Sequence, residues 1–269
     1  AMPALWSYEE ASAMPTVWVT VWMCLEELAG LSAGMNVLTQ AATGGVGLVA
    51  MQCAQKAGAR VCATAGRAEK RGYVQSMGVH MASTTRDSAL FVVEIGSMLC
   101  GRLDVVLNSL THDEYIPGAV AMAGEGARFV EIGKRGIWER SKMAREGVRY
   151  SVVAMDGQCA LDPAWQHSAL LALHARASAA SQELHALPLH AFEMRSTGVE
   201  AFRVLQRASQ IGKVVVGLSG TTLSGTGFAV SGGTGGLGLL MGHWLERCGA
   251  RRGTLSSRTG TTGTGTEQH

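Results

Sequence analysis

The distribution of apolar residues predicts a strand, a turn, a helix and a second strand near the start of the chain. Residues 36–40 (NVLTQ) form a short apolar run that predicts a buried strand, and a glycine-rich turn at 43–47 follows it. Apolar positions then recur at helical spacing as far as Gly58, a residue type that commonly ends helices. Residues 60–64 (RVCAT) predict the next strand, which completes a βαβ unit.

The same alternation continues along the chain. We expect helices at 68–77 and around 119–123, and strands at 103–108, 128–132 and 148–155. Further on come one or two helices within 163–187, a short segment at 189–192, an amphipathic helix at 198–208 and an apolar strand at 213–218. The apolar stretch 13–25 predicts a buried helix. This order favours an α/β fold: a Rossmann-like doubly wound parallel sheet with helices on both faces, its cofactor-binding core at about 30–160.

The composition changes near residue 219. Residues 219–226 are rich in Gly, Ser and Thr and indicate a linker. A strand-like segment at 228–230, a second glycine turn at 231–238 and a helix at 239–248 follow. We therefore expect one domain at 1–218, the truncated start of a second Rossmann unit at 219–258, and a low-complexity tail at 259–269.

Composition and charge argue against several classes of function. Hydrophobic residues make up 47% of the chain, enough for a packed core, and a net charge of +2 argues against nucleic-acid or membrane-surface partners. The six cysteines form no CxxC pair and are expected to be buried reduced thiols. The histidines lack metal-ligand spacing, so we expect no metal. Without a visible secretory signal, a cytoplasmic location is expected, and a plastid is left open.

The first glycine turn indicates an anion site. A strand that leads through glycines into a helix lets the backbone approach a pyrophosphate, and the helix N-terminus offers free N–H groups and a partial positive charge. The residues expected there are Thr43, Gly44, Gly45, Val46 and Gly47.

The end of the second strand favours NADPH over NADH. NAD sites usually place Asp or Glu there to hold the ribose hydroxyls. This chain has Gly66 and Arg67 instead, with Lys70 and Arg71 one turn into the next helix, so positive charge stands where a 2′-phosphate would lie.

Five segments in register carry a resemblance to a known family. They are residues 41–48 (AATGGVGL), 65–71 (AGRAEKR), 106–110 (VLNSL), 129–134 (FVEIGK) and 211–215 (IGKVV). Together they resemble the enoyl reductase domain of type I polyketide synthases and animal-type fatty acid synthases, a zinc-free branch of the medium-chain dehydrogenase/reductases. The resemblance covers about residues 1–218.

This resemblance implies NADPH-dependent reduction of an enoyl thioester carried on an acyl carrier protein, with hydride going to the β-carbon and a proton to the α-carbon. It also implies other synthase domains as partners, among them a ketoreductase and the acyl carrier protein, and a homodimer in the parent. The protein would align the nicotinamide with the double bond and stabilise enolate charge.

The resemblance also assigns residues. The first glycine turn would hold the pyrophosphate. Gly66, Arg67 and Lys70, with Thr85 and Arg86, would surround the 2′-phosphate. The remaining cofactor contacts would be Asn108, Ser109, Gly133 and Lys213. Lys134 would be the catalytic candidate, as proton donor or enolate stabiliser, or else a simple cofactor contact.

Two residues depart from the family pattern. Trp18 stands where the family commonly has a tyrosine linked to protonation stereochemistry, and indole supplies no phenolic proton. Gly136 stands where many members have Asp two residues beyond the lysine, so a mechanism that relies on that Lys/Asp pair does not transfer.

The family's reductases also include a GroES-like substrate domain, to which only about 187–218 could contribute here, so we expect that domain to be incomplete. The second glycine turn, with Ser257 and Arg258, resembles the opening of a ketoreductase. Two alternatives remain: a free-standing NADPH:quinone reductase-like enzyme, which shares the glycine turn and the position of Lys70, and a truncated nucleotide-binding fragment without catalysis.

Overall fold

The computed structural model describes residues 2–99, 101–112, 114–179, 184–218, 227–231, 236–247, 249–250 and 252–256. These residues fall into two compact units, Ala1–Gly217 and Leu218–His269. The predicted linker at 219–226, most of the second glycine turn, Ser257, Arg258 and the tail lie outside the described residues.

The first unit begins with helices and continues with alternating strands and helices. Its opening elements are α1 (Tyr8–Ala13), α2 (Pro15–Val21) and a π-helix (Trp22–Leu28). Next come β1 (Asn36–Thr39), α3 (Gly45–Lys56), β2 (Arg60–Ala65), α4 (Ala68–Ser76), β3 (Met81–Thr84), α5 (Ser88–Met98), β4 (Leu103–Asn108), α6 (Tyr115–Met122), β5 (Ala123–Glu131), α7 (Arg140–Arg145) and β6 (Arg149–Val152). The last are α8 (Met155–Leu161), α9 (Pro163–Ser178), β7 (Leu189–Glu193), α10 (Met194–Gln206) and β8 (Lys213–Gly217).

Strands β1 to β6 form one parallel sheet in the order β3-β2-β1-β4-β5-β6. One apolar cluster, which includes Val37 and Val105, buries one face of the sheet together with α2, α3 and α9. A second cluster, which includes Leu38 and Phe129, buries the other face beneath α5 and α6. The predicted doubly wound, Rossmann-like parallel sheet is therefore confirmed. Strands β7 and β8 form a separate parallel pair.

Three predicted elements differ from the structure. The helix expected at 13–25 is divided, because Pro15 starts α2 and the chain then widens into a π-helix, in which Ala29 N–H donates to Cys24 O. Ala123, predicted in a helix, is instead the first residue of β5 and pairs with Leu103. The strand predicted at 148–155 ends at Val152, because its neighbour β5 ends at Glu131, and Met155 already begins α8.

The pattern missed several elements, among them β3 and α5. Strand β3 is short and carries Ser83 and Thr84, so it lacks an apolar run. Helix α5 begins where the Asp87 side chain accepts a hydrogen bond from Leu90 N–H, a cap that the apolar pattern alone does not reveal.

The second unit contains β9 (Gly227–Ser231), α11 (Gly236–Arg247) and β10 (Arg252–Ser256). Strands β9 and β10 pair in parallel, with Phe228 opposite Gly253. This is a strand, helix, strand unit of the kind that opens a Rossmann fold.

Leu38 tests the central strand. Its side chain is fully buried in the cluster beneath α5 and α6, so we expect Leu38→Ala to lower the free energy of unfolding by about 2–5 kcal/mol. Leu90, which is 44% exposed on α5, is the matched control. Leu90→Ala should change the free energy of unfolding by no more than about 0.5 kcal/mol. Urea unfolding followed by circular dichroism measures both, and equal losses would contradict the assigned core.

Candidate functional site

The glycine turn after β1 leaves the start of α3 free to bind an anion. Gly44 is the N-cap of α3 in an extended conformation, and no side chain caps this helix. The first hydrogen bond that enters the helix joins Leu48 N–H to Gly44 O at 2.9 Å. The N–H groups of Gly45, Val46 and Gly47 precede it and have no carbonyl partner within the helix, as an anion-binding helix N-terminus requires.

Two of these glycines lie in close contacts, of which only that of Gly47 is with backbone atoms. A Cβ on Gly47 would lie 2.5 Å from the Ala42 Cα, and a Cβ on Gly45 would lie 2.7 Å from the Lys213 Cδ. Gly212 N–H also donates to Thr43 O at 2.9 Å. The structure therefore brings Lys213 against the glycine turn, although the two are distant in sequence.

The residues expected around a 2′-phosphate also come together. A Cβ on Gly66, which follows β2, would lie 3.0 Å from the Thr85 Oγ1 and 3.4 Å from the Arg86 Nε. Burial lowers the pKa of Lys70, and the positive charges of Arg67 and Arg86 lower it further, so these cations lie close enough to repel one another. Among the described residues, no carboxylate forms an ion pair with them.

Arg67 and Lys70 also hold the end of α10. Arg67 Nη2 donates to Arg207 O at 3.2 Å, and Lys70 Nζ donates to Ala208 O at 2.9 Å. These carbonyls follow the last turn of the helix, where cations bind favourably. The cation cluster is thus tied to the segment that leads to Lys213.

A row of buried polar residues crosses the carboxyl ends of the strands. Its members are Ser83, Thr64, Gln40, Asn108 and Glu131. The register pairs Thr64 with Ser83 and Asn108 with Glu131, while Gln40 N–H donates to Leu107 O at 3.1 Å. Each member lies two residues beyond a position in the cluster beneath α5 and α6, so the row shares that face of the sheet.

Some polar atoms of this row have no hydrogen-bond partner in the described part of the chain. They are both side-chain amide atoms of Gln40 and the Asn108 Oδ1. Buried polar groups are nearly always paired, and ligands of doubly wound folds bind where the strand order reverses, here between β1 and β4. The orphaned atoms at this point fit a polar ligand. Sequence reasoning did not name Gln40 and Glu131 as site residues, although both lie within predicted strands.

The turn after β5 carries Lys134. A Cβ on Gly133 would lie 2.8 Å from the Thr111 Cγ2, so this turn packs against the segment that follows Asn108 and Ser109. Lys134 is exposed, and its Nζ lies 3.6 Å from the Asp156 Oδ2. The pKa of Asp156 is lowered first by a hydrogen bond from the backbone N–H of Asp156 itself and then by the positive charge of Lys134. A Lys/Asp pair therefore exists here, with the carboxylate supplied by α8 rather than by position 136.

Gly136 and Trp18 have structural explanations. Gly136 has a φ of 66°, and a Cβ there would lie 3.3 Å from Thr111 O, so an Asp at this position would be strained. The Trp18 side chain is buried, and its Nε1–H donates to Ala169 O of α9 at 2.8 Å. Trp18 thus fastens α2 to α9, and its only hydrogen-bond donor is already used.

The described residues offer neither a metal site nor a membrane-spanning helix. Within the described ranges, no group of three His, Cys, Asp or Glu side chains could hold a metal ion. None of the described helices is both long enough and apolar enough to cross a membrane.

Comparison with known proteins shows the class of enzymes and the family that this chain resembles. Residues 45–155, which include α3 and strands β2 to β6, match the zinc-binding dehydrogenase family, a class of oxidoreductases. The chain is 37% identical, over 96% of its length, to the spectinabilin polyketide synthase system protein NorB of Streptomyces orinoci, of which it spans 12%.

Two of the solved structures that resemble this chain are an enoyl reductase and a subdomain of one. The CurK enoyl reductase is 35% identical with a TM-score of 0.73, and the match covers 80% of this chain and 64% of CurK. The nucleotide-binding subdomain of the enoylreductase domain of PpsC from Mycobacterium tuberculosis is 31% identical with a TM-score of 0.57, and the match covers 65% of this chain and 98% of that subdomain. The chain belongs to the enoyl reductase domains of polyketide synthases, and its site is that of a nicotinamide cofactor.

Gly47 tests the close packing of the turn. A methyl group there would meet the Ala42 backbone, which cannot move without shifting β1, so we expect Gly47→Ala to lower the free energy of unfolding by about 1–3 kcal/mol. A Cβ on Gly72, within α4, meets nothing within 4 Å, so Gly72→Ala should be neutral or raise it by up to about 1 kcal/mol. Chemical denaturation of both variants decides, and an unchanged Gly47→Ala protein would show that the turn is looser than described.

Proposed function

We propose that this chain binds NADPH along the carboxyl edge of its sheet and that it supplies the cofactor-binding part of an enoyl reductase in a polyketide synthase. In the intact synthase, this reductase would reduce the α,β double bond of an enoyl thioester carried on an acyl carrier protein. The observation that carries the proposal is the cluster of Arg67, Lys70 and Arg86 around Gly66, beside a helix N-terminus whose first N–H groups have no carbonyl partner within the helix.

The preference for NADPH rests on charge. Burial lowers the pKa of Lys70, and repulsion from Arg67 and Arg86 lowers it further. A 2′-phosphate is an anion with several acceptor oxygens, and it would offset this repulsion. A ribose hydroxyl offers no such compensation. Since the described residues place no carboxylate in an ion pair with these cations, NADH would meet uncompensated positive charge.

The remaining residues have separate tasks in this proposal. The N–H groups of Gly45, Val46 and Gly47 bind the pyrophosphate, and Lys213 adds positive charge beside Gly45. Asn108 and Ser109 lie at the end of β4, where the nicotinamide ribose would bind. When bound, NADPH supplies the hydride for the β-carbon.

Lys134 and Asp156 are suited to the charge that develops on the substrate. An ammonium group at the end of β5 can stabilise the enolate oxygen of the thioester or donate the proton that the α-carbon receives. Asp156, whose Oδ2 lies 3.6 Å from the Lys134 Nζ, is the ion-pair partner of this ammonium group. Trp18 takes no part, because its N–H is bound to Ala169 O.

Other domains of a synthase are the partners that this proposal implies. The match to NorB covers 96% of the chain and therefore extends past Gly217 into the second unit, whose β9, α11 and β10 suit the start of a ketoreductase. A homodimer of the parent and delivery of the substrate by the acyl carrier protein belong to the same proposal.

The alternatives are distinguished by what the chain binds and reduces. A quinone reductase-like enzyme would reduce a quinone with NADPH and leave a crotonyl thioester unchanged. A nucleotide-binding module would bind NADPH and reduce neither. The family assignment favours the enoyl reductase.

Lys70 tests the cofactor preference. We expect the chain to bind NADPH more tightly than NADH, and Lys70→Ala to weaken NADPH by about 10- to 100-fold, since a charge-assisted hydrogen bond contributes about 1.5–3 kcal/mol. NADH binding should change by no more than about twofold, because NADH carries no 2′-phosphate. Titration followed by fluorescence of the bound cofactor measures both constants.

The matched control is Lys56→Ala, which removes an exposed positive charge at the opposite end of α3. It should leave both constants unchanged. If both variants weaken NADPH binding equally, the effect arises from net charge alone. If the chain binds NADH more tightly than NADPH, the proposal is wrong.

Lys134 tests the catalytic assignment. With a crotonyl thioester as substrate, we expect Lys134→Ala to lower kcat of the purified chain by about 100-fold or more, as loss of a proton donor does, while its Kd for NADPH changes little. Arg135→Ala, which removes the neighbouring exposed cation, is the control. Weaker NADPH binding without loss of kcat would make Lys134 a cofactor contact instead.

A further inference from the structure

The side-chain amide of Asn108 is held in one orientation. Its Nδ2 donates to Leu110 O at 3.2 Å and to the Glu131 Oε2 at 2.5 Å. Both acceptors lack a hydrogen to donate, so exchange of the amide oxygen and nitrogen would place an acceptor against two acceptors. The Oδ1 is thereby fixed on the opposite side, where it is buried and unpartnered among the described residues.

Glu131 is the residue that enforces this orientation. Its carboxylate is fully buried, and its second oxygen, Oε1, accepts a hydrogen bond from Gly133 N–H at 2.6 Å. One carboxylate therefore joins the end of β4 to the turn that carries Lys134. Gly133 permits this approach, because a Cβ there would lie 2.7 Å from the same oxygen.

Such a carboxylate is costly for the fold. Burial raises the pKa of Glu131, and hydrogen bonds from Asn108 and Gly133 oppose that rise. The described residues provide it with no ion-pair partner. A neutral side chain would fill the same space at a lower desolvation cost, so the charge has a use other than packing.

We propose that Glu131 is a positioning residue for the nicotinamide half of the cofactor: it presents the Asn108 Oδ1 as an acceptor to a ribose hydroxyl and holds the Gly133–Lys134 turn beside it. This inference rests on the proposed function, because it assumes that NADPH binds along this edge. Since the Oδ1 is buried, the hydroxyl reaches it only if the groups that cover it move aside when the cofactor binds.

Glu131→Gln separates this role from packing. The substituted side chain has nearly the same shape but only one acceptor atom, so either the Asn108 Nδ2 or the Gly133 N–H faces another donor. The two probes are NADPH and adenosine 2′,5′-bisphosphate, which carries the 2′-phosphate but no nicotinamide half. We expect Glu131→Gln to weaken NADPH about tenfold and to leave adenosine 2′,5′-bisphosphate within about twofold of the wild type.

Two further variants complete the test. Glu125→Gln removes an exposed carboxylate from the same strand and should change neither Kd. In an Asn108→Ala background, Glu131→Gln should weaken NADPH binding less than it does in the wild type, because the part of its effect that acts through Asn108 is already lost. A packing role would instead give additive losses.

The outcomes distinguish this inference from the proposed function. If the wild-type chain binds neither probe, the proposed function fails, and the inference fails with it. If the wild type binds both, and Glu131→Gln weakens both equally or neither, the cofactor site stands and the positioning role is wrong. Thermal unfolding monitors the fold of each variant. Should Glu131→Gln not fold, Glu131→Asp, which keeps both acceptors on a shorter side chain, must show the same selective loss for NADPH.

Discussion

The register of the parallel sheet is the constraint on which the site depends. Pairing of Leu38 with Val106, and of Val106 with Phe129, aligns three apolar residues in one layer on one face. Two residues further along, the same face carries the buried polar row that ends in Asn108 and Glu131. A slip of one residue in any strand would move the polar residue of that strand to the opposite face of the sheet. The packing of the apolar layer therefore fixes the face on which the buried polar row lies.

Sequence reasoning succeeded where the information is local. The glycine turn, the boundaries of β4 and the cations after β2 follow from short segments, and the structure has each of them at the expected place. The Asp156 carboxylate that pairs with Lys134 could not be found in this way, because α7 and β6 separate the two residues along the chain. The role of Glu131 was hidden for a similar reason, since its partners depend on the register between β4 and β5.

Buried polar residues at the carboxyl edge of the sheet lower the stability of the fold, whereas the apolar clusters of the core raise it. Both apolar clusters consist of fully or nearly fully buried side chains. The layer above them contains the buried Glu131 carboxylate and the Gln40 amide, which has no hydrogen-bond partner among the described residues. Each unpaired buried polar group costs about 1–3 kcal/mol. Proteins tolerate such local conflicts chiefly at functional sites, so the place where the sequence departs from good core design coincides with the proposed ligand position.

The cation cluster links the cofactor site to the segment that follows α9. Arg67 and Lys70 donate to carbonyls at the end of α10, and Ala208, one of those residues, has a φ of 47° that is uncommon for alanine. The chain then passes through Gly212, whose N–H binds Thr43 O, to Lys213 beside Gly45. The cations therefore contribute to the fold of this segment as well as to the charge of the proposed site.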